Sequence, residues 1–189
     1  MDRRGFLKRV GILYGSASFA AAVTEARPAI SPLSRFKLGA ISDGFSQDFE
    51  EALKVMKGYG LSWVEIRNVF GIYNTEASPA QIQRLKDLLD KYEFRVSVID
   101  SALFKCTLPG TRPVRGNKDI HGYPGQMELL KRAIDRAHAV RTDKIRGFTF
   151  WRVAEPAKLS ERIAEELGKA AEIARRAGIR LVTKAVLLE

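Results

Sequence analysis

The sequence predicts an α/β fold in which parallel β-strands alternate with amphipathic α-helices. Five short apolar segments are separated by stretches whose apolar residues recur every three or four positions, which is typical of a helix with one buried face. Three strand starts align with one another: Tyr-Gly-Leu at 59–61, Tyr-Glu-Phe at 92–94 and Ala-Gly-Ile at 177–179. Such alternation indicates a parallel sheet with right-handed crossovers. Because an eight-unit (β/α) barrel needs about 250 residues, this chain of 189 residues is expected to form about the first half of one, from the first strand to the fifth.

The predicted strands are short and mostly apolar. Asp43-Gly44 is the expected exit of the first strand, and Gly60 lets the chain turn from a helix into the second. The second strand ends with Glu65 and Arg67, which suits a buried strand that carries polar groups to the mouth of a site. The five strands are predicted at residues 36–43, 61–67, 94–100, 144–151 and 179–182.

Capping residues predict where the helices begin. Ser46 is expected to cap the first helix, and the acidic residues that follow it suit the positive end of the helix dipole. Ser-Pro-Ala-Gln at 78–81 predicts the start of the second helix, with serine at the cap and proline at the first helical position. The third helix is expected to open at Pro124 and the fourth after Pro156, with Gly178 as the stop of the fourth.

A long segment at residues 101–123 follows the third predicted strand. Loops of this length inside a compact domain are often functional. Four cations precede its first acidic residue, Asp119; they are Lys105, Arg112, Arg115 and Lys118. They could attract a phosphate-bearing or acidic substrate, or an acidic polymer. A solvated basic loop explains them at least as well, since no glycine-rich phosphate cradle accompanies them.

The amino end, residues 1–29, is predicted to be an export signal. Arg3 and Arg4 precede Phe-Leu-Lys, and the uncharged run at 10–23 is too short and too rich in Gly, Ser and Ala for a transmembrane helix. This order resembles the twin-arginine signal of bacteria, which exports folded proteins. We therefore expect a periplasmic or secreted protein that uses the export machinery, with residues 30–189 as the barrel domain. An ordinary Sec signal or an uncleaved anchor is the alternative.

Charge and cysteine content narrow the classes of partner. The formal net charge is +10, and residues 1–29 contribute +3 of it through five basic and two acidic residues, which leaves about +7 for the rest. These charges are interspersed on helix faces without an arginine-rich arm, so we expect no nucleic-acid partner. Cys106 is the single cysteine, which excludes an internal disulfide and a cysteine-based zinc cluster.

Three segments carry a resemblance to a known family. They are GYGLSWVEI at 58–66, LKDLLDKY at 85–92 and AAEIARRAGIRLV at 170–182. Together they resemble the xylose isomerase-like TIM barrels, which include sugar phosphate isomerases and epimerases, over most of residues 36–182. The resemblance implies a divalent metal (Mn, Mg or Zn) that stabilises an enediolate while carboxylates move a proton between the carbons of a sugar or sugar phosphate.

The sequence departs from the family pattern at its end. Family members tend to follow the fifth strand with an acidic pair around an asparagine, and the first metal-binding glutamate of the family is expected there. This chain has Thr-Lys-Ala-Val-Leu-Leu-Glu at 183–189, with Lys184 about where a carboxylate is expected. The expectation is therefore a carboxy-terminally truncated barrel without its metal-binding half, which binds no metal itself.

Four residues are candidates for substrate binding, and no catalytic residue is assigned. Glu65 near the end of the second strand could bind substrate or transfer a proton, or it could form an ion pair with Arg67 or with an arginine of a neighbouring strand. Asp43 and Asp100 occupy comparable strand ends, although both could simply cap turns. Trp151 could stack on the apolar face of a sugar, or only pack.

Three further residues are expected to be structural. His121 lies in the long loop and His138 on a helix, and neither has a partner at metal-ligand spacing. Cys106 has no nearby histidine and no basic cluster tight enough to make it a nucleophile. No metal ligand is therefore predicted.

Two functions compete for the chain as a whole. The first is a sugar isomerase or epimerase that acts on a small-molecule substrate, with this chain either active or inactivated by the loss of the metal-binding half. The alternative is an exported, non-catalytic half-barrel that binds a ligand or associates with a second copy, since half a barrel leaves two sheet edges and an apolar interior uncovered.

Overall fold

The structure is a computed structural model that describes residues 36–115 and 118–184. From Lys37 onward the chain forms one compact unit. Its strands are β1 (Gly39–Ile41), β2 (Trp63–Ile66), β3 (Asn68–Val69), β4 (Ile72–Tyr73), β5 (Arg95–Asp100), β6 (Lys144–Phe148) and β7 (Arg180–Lys184). Its α-helices are α1 (Phe49–Gly58), α2 (Pro79–Tyr92), α3 (Gln126–Ala139) and α4 (Ser160–Arg176). The predicted export signal, with Arg3 and Arg4, lies outside the described residues.

Five of the strands form one parallel sheet in the order β1-β2-β5-β6-β7. The helices lie in the crossovers between consecutive strands of this sheet, as the alternating pattern predicts. The small antiparallel hairpin of β3 and β4 was not predicted. It occupies the connection between β2 and α2, at the carboxyl end of the sheet, where the strands of such folds carry their functional residues.

The hydrophobic core lies between one face of the sheet and the helices. Val64 and Ile66 of β2 are fully buried on this outer face, as are Ile99 of β5 and Ile145 of β6. Helix residues at three- to four-residue spacing cover them, for example Leu53 of α1, Leu85 of α2 and Leu130 of α3. The opposite, inner face of the sheet carries more polar residues, so functional side chains are to be sought there.

A β-bulge in β5 decides which residues reach the inner face. Val64 pairs with Val96, but the next residue, Glu65, pairs with Val98, so Ser97 is an extra residue in the ladder. The Ser97 hydroxyl donates to the backbone oxygen of Val64 at 3.1 Å. Because side chains alternate along a strand, the extra residue reverses the alternation, and Asp100 points to the inner face instead of the helices.

The capping box of α2 is confirmed. The Ser78 hydroxyl accepts a hydrogen bond from the Gln81 amide at 3.3 Å, and the Gln81 side chain accepts one from the Ser78 amide at 2.9 Å. The predicted cap of α1 was wrong by two residues. Asp48 is the cap and accepts from the Glu51 amide, while Ser46 accepts from the Asp48 amide one step earlier.

Other boundaries shift by a few residues. A 3-10 turn at Tyr123–Gly125 precedes α3, so Pro124 opens that turn and not the helix itself. Strand β6 ends at Phe148 because Phe150 adopts a positive φ of 64°, which an extended strand does not allow. None of the described helices is both long enough and apolar enough to cross a membrane.

Candidate functional site

One guanidinium joins two carboxylates on the inner face of the sheet. Arg146 of β6 places its Nη1 2.9 Å from Glu65 Oε1 on β2, and its Nη2 donates to Asp100 Oδ2 on β5. Asp100 and Arg146 are directly paired in the sheet, and Glu65 lies one inner-face layer below them. The bulge in β5 is what brings Asp100 into this group.

The two carboxylates differ in their exposure to solvent. The Asp100 side chain is 1% exposed and the Arg146 side chain 17%, whereas the Glu65 side chain retains 22%. A ligand on the inner face can therefore contact Glu65. The buried Asp100 cannot contact the ligand and affects it only through Arg146. Arg146, itself held by Asp100, thus fixes the orientation of the accessible Glu65 carboxylate from the buried side.

Burial raises the pKa of both carboxyl groups above their ordinary range. For Glu65 the loss of solvation is the largest cause, the nearby Asp100 adds to it, and the positive charge of Arg146 opposes it. For Asp100 the loss of solvation again exceeds the opposing effects of Arg146 and Arg67. A carboxyl group whose pKa is shifted toward neutral pH can both accept and donate a proton, as a general acid–base group must.

A second ion pair borders the first. Arg67, just after β2, donates from Nε to Asp43 Oδ2 at 2.8 Å, and the Asp43 side chain is only 2% exposed. This contact raises the pKa of Arg67. Tyr73 of β4 is half-buried beside the same charges, and burial together with Asp100 raises the pKa of its phenol. The hairpin thus brings a protonated hydroxyl next to the carboxylates.

Asn74 holds the hairpin against the end of the sheet. Its side-chain amide donates to the backbone oxygens of Ile66 at 3.1 Å, Arg67 at 2.9 Å and Asp100 at 2.8 Å. The residue is fully buried. One side chain therefore ties the carboxyl ends of β2 and β5 together, which keeps Arg67 and Asp100 in place.

An open groove of about 440 Å³ runs along the inner face. Its floor comes from β1, β2, β5 and β7, and Glu65 is the carboxylate that lines it. Lys37 and Lys144 stand at its sides, and the half-buried Trp63 supplies an aromatic surface. A small polar molecule that enters this groove meets Glu65.

A second group of residues lies beyond the end of β6. Trp151 donates from Nε1 to Asp119 Oδ1 at 2.6 Å, and Asp119 also accepts from the amide of Thr107 at 3.2 Å. Lys105 places its ammonium 5.3 Å from the ring centroid of Phe148 and 6.0 Å from that of Trp151. Asp119 therefore anchors the long loop, and the hydrogen bond from Trp151 orients its carboxylate.

The structure brings three of the four candidate residues together. Glu65, Asp43 and Asp100 lie at the carboxyl end of neighbouring strands, each paired with an arginine. Glu65 pairs with Arg146 of β6, two strands away in the sheet, and not with Arg67 or with an arginine of a neighbouring strand, the two pairings that the sequence suggested. Trp151 belongs to the second group, and its indole nitrogen is already engaged by Asp119. Whether any of the four binds substrate stays a prediction.

The residues expected to be structural have structural contacts. His138 hydrogen-bonds the backbone oxygen of Ala177 at 2.9 Å, and His121 lies 3.4 Å from Glu76. Cys106 is fully buried, and burial raises the pKa of its thiol to about 12. These contacts fit packing and loop anchoring.

Sequence reasoning missed Arg146, Tyr73 and Asn74. Arg146 is the cation in the interior of strand β6, which begins with Lys144, and that was the available signal, because a charge in the buried part of a strand needs a partner. Tyr73 and Asn74 carried no comparable signal, since both depend on a hairpin that the sequence did not reveal.

The described residues do not fit a divalent metal. In residues 36–115 and 118–184 no group of three or more His, Cys, Asp or Glu side chains is placed to hold one. Asp43 Oδ1 and Asp100 Oδ1 are buried acceptors without a hydrogen-bond partner. The other oxygen of each carboxylate already contacts a guanidinium, which opposes a cation there.

Comparison with solved structures shows the fold. A xylose isomerase-like TIM barrel protein from Mycobacterium smegmatis in complex with magnesium aligns with a TM-score of 0.55 and 13% identity, over 79% of this chain and 55% of that one. A sugar phosphate isomerase/epimerase from Parabacteroides distasonis ATCC 8503 aligns with a TM-score of 0.51 and 20% identity, over 78% and 50%. An AP endonuclease of family 2 from Brucella melitensis aligns with a TM-score of 0.51 and 12% identity, over 78% and 55%.

These alignments confirm the predicted fold class, since the five-stranded parallel sheet corresponds to part of a barrel. The chain spans about half the length of these solved structures. It has no match among curated proteins. The family model for the xylose isomerase-like TIM barrel matches residues 53–185, which is well over half of the sequence. The chain therefore belongs to the xylose isomerase-like TIM barrel family.

Proposed function

We propose that this chain belongs to an isomerase or epimerase that moves a proton next to the carbonyl of a sugar or sugar phosphate. The observation that carries the proposal is the Glu65 carboxyl group, which faces the groove, is held by Arg146 and has a raised pKa. Family membership and the sugar-phosphate enzyme among the structural neighbours support the substrate class.

Glu65 is the proposed acid–base group, because it is the carboxylate of the cluster that a ligand can reach. Arg146 and Asp100 are positioning residues. Arg146 keeps the carboxylate pointed into the groove, and the buried Asp100 keeps Arg146 in place. Arg146 also favours the ionised form of Glu65, which must form when the carboxyl group releases its proton.

The proposed substrate is small and rich in hydroxyl groups. Trp63 offers an aromatic surface on which one face of a sugar can pack, beside the Lys37 ammonium that lies 5.0 Å from its ring centroid. Glu65 and Ser97 offer polar contacts in the same groove. Trp151 suits this stacking role less well, because it does not line the groove and its indole nitrogen already donates to Asp119.

Proton exchange with solvent tests the proposal directly. Purified protein is incubated in D₂O with a panel of ketoses, aldoses and their phosphates, with and without Mn²⁺ or Mg²⁺, and deuterium incorporation next to the carbonyl is followed by NMR. We expect incorporation with the wild type, and a loss of at least a hundredfold with Glu65→Gln. Glu51→Gln, on the exposed side of α1, is the matched control and should match the wild type. No exchange with any compound would reject the proposal.

A divalent metal belongs to this proposal only as a family property. One of the aligned structures is described as a complex with magnesium. The described residues of this chain do not supply a ligand set, so we assign no residue of this chain to a metal. The roles of Glu65, Arg146 and Asp100 stated above do not depend on it.

Export through the twin-arginine route is also proposed, on the basis of Arg3, Arg4 and the moderately apolar run after them. This would place the protein in the periplasm or outside the cell. Fusion of residues 1–35 to a reporter that is active only after folded export tests it. The signal should fail when both arginines become lysine, and unchanged export of that double variant would reject the route.

Self-association is the second candidate function. Within the described residues β1 and β7 each have a strand on one side only, and the inner face is an open groove. A second copy could cover both features. Analytical ultracentrifugation distinguishes the possibilities: a dimer that excludes sugars from the groove supports a non-catalytic half-barrel, and a monomer at high concentration rejects it.

A further inference from the structure

Lys105 stands apart from the other cations of the long loop. It is half-buried, whereas Arg112, Arg115 and Lys118 are exposed. Its ammonium lies over the rings of Phe148 and Trp151, at 5.3 and 6.0 Å from their centroids. A lysine held over aromatic faces is partly desolvated, and a desolvated ammonium gains more from an anionic partner than one in water does.

The carboxylates around Lys105 are already engaged. Among residues 36–115 and 118–184, none forms an ion pair with its ammonium. Asp119 accepts hydrogen bonds from Thr107 and Trp151, and Asp100 accepts one from Arg146. Lys105 nevertheless acts electrostatically on Asp100, so it lies at the same end of the sheet as the proposed acid–base group.

The backbone on both sides of Lys105 is fixed. The preceding Phe104 has a positive φ of 56°, and its amide donates to the buried Gln126 side chain at 2.6 Å. The Trp151 amide donates to the backbone oxygen of the following Cys106 at 3.1 Å. A strained residue held by a buried hydrogen bond shows that the surrounding structure dictates this conformation. The backbone that carries Lys105 is therefore held in one conformation.

The charges at this end of the sheet leave room for an anion. The three carboxylates of the cluster are paired with Arg67 and Arg146, whereas Lys184 and Lys105 act on Glu65 and Asp100 only electrostatically. Of these two lysines, Lys105 is half-buried and Lys184 is exposed, so a bound anion gains more from the charge of Lys105. We propose that Lys105 is a specificity residue that binds an oxyanion of the substrate, either a phosphate or a carboxylate group, while the carbonyl end of the same molecule reaches Glu65.

This inference rests on the proposed function for the position of the substrate, but its test does not need turnover. Isothermal titration calorimetry compares ribose 5-phosphate, ribonate and ribose as probes for phosphate, carboxylate and neutral sugar. The variants are Lys105→Met, which keeps the apolar stem, and Lys105→Arg, which keeps the charge. Lys131→Met, on the exposed face of α3 with a side chain 70% exposed, is the matched control.

We expect the wild type to bind at least one of the two anionic probes more tightly than ribose. Lys105→Met should reduce that preference at least tenfold, while Lys105→Arg and Lys131→Met should retain it. A preference for ribose 5-phosphate identifies a phosphate, and a preference for ribonate a carboxylate. Equal binding of all three probes by the wild type, or an unchanged preference in a folded Lys105→Met variant, would overturn the inference.

The two proposals fail in different ways. Deuterium exchange that depends on Glu65, with no effect of Lys105→Met on probe binding, rejects the role of Lys105 alone. An anion preference that depends on Lys105, without any exchange, supports the binding role and rejects the acid–base role of Glu65.

Discussion

Arg146 on β6 reaches across β5 and places its Nη1 2.9 Å from Glu65 Oε1 on β2. The same guanidinium contacts Asp100, so a single cation serves an accessible carboxylate and a buried one. Both carboxyl groups lose solvation, and neither has another arginine or lysine in direct contact among the described residues. The position of Glu65 and the folding of this end of the sheet therefore depend on the same side chain.

Replacement of Arg146 by Met should cost about 3 kcal/mol of the free energy of unfolding, because it leaves the Asp100 carboxylate buried without its partner. Urea denaturation followed by circular dichroism measures the change. Arg175→Met is the matched control, since that arginine is 73% exposed and pairs with Glu172 on the surface of α4; we expect it to change stability by less than about 0.5 kcal/mol. Equal effects of the two variants would contradict the buried bridge.

Replacement of Glu65 by Gln should change how stability depends on pH. Burial raises the pKa of Glu65 above 4.5 in the folded chain, while the unfolded chain keeps the ordinary value. Between these two pKa values the folded state binds more protons than the unfolded state. The stabilising contribution of protonated Glu65 is therefore complete below pH 4.5 and is lost as the pH rises through the folded pKa.

The variant lacks this titration, so the difference in stability between the two proteins should shift in favour of the variant as the pH rises. Asp100, whose pKa is raised by burial as well, keeps part of the slope in both proteins. Urea unfolding at pH 4, 5, 6 and 7 gives the two curves. Parallel curves over the whole range would show that Glu65 titrates in the folded chain as it does in the unfolded one.

The fold was largely predictable because the four helices and the five strands of the parallel sheet each carry a local sequence signal, which the β3–β4 hairpin does not. The Ser78–Gln81 cap, the helical spacing of apolar residues and the glycine turns are all short-range signals, and they placed five strands and four helices in the right order. The site was only half predictable. Strand-end carboxylates could be recognised one at a time, but their partner Arg146 depends on pairing across three strands.

The bulge at Ser97 is the clearest limit on prediction. Strict alternation from the buried Val96 would place Asp100 on the helix side, because both residues have the same parity. The bulge reverses this, and nothing in the residue types of β5 announces it, since Ser97 and Val98 fit a regular strand equally well. Register between strands is a property of the folded sheet, so the inner-face cluster emerges only from the structure.

Cys106 should be inert toward thiol reagents in the folded protein. The residue is fully buried, and burial raises the pKa of its thiol from 9.0 to about 12. At pH 8 the thiolate fraction falls by roughly a thousandfold relative to the unfolded chain, and the thiolate is the reactive form. Labelling with iodoacetamide, with and without denaturant, measures the ratio of rates. Comparable rates in both conditions would show that this part of the long loop opens readily.

Asn74→Ala should cost about 2 to 3 kcal/mol of the free energy of unfolding, because it removes the donor that serves three backbone oxygens at the ends of β2 and β5. Gln83→Ala, which removes an exposed side-chain amide that donates to Asp87 on α2, is the control and should change stability by less than about 0.5 kcal/mol.

Asn74→Asp is the sharper variant. It keeps the size of the side chain but replaces the donor by an acceptor that faces three carbonyl oxygens, so it should destabilise the chain at least as much as the alanine variant at neutral pH. If Asn74→Asp were as stable as the wild type, the amide would not be the tie between the two strands, and the placement of Arg67 and Asp100 would have to come from the hairpin backbone alone.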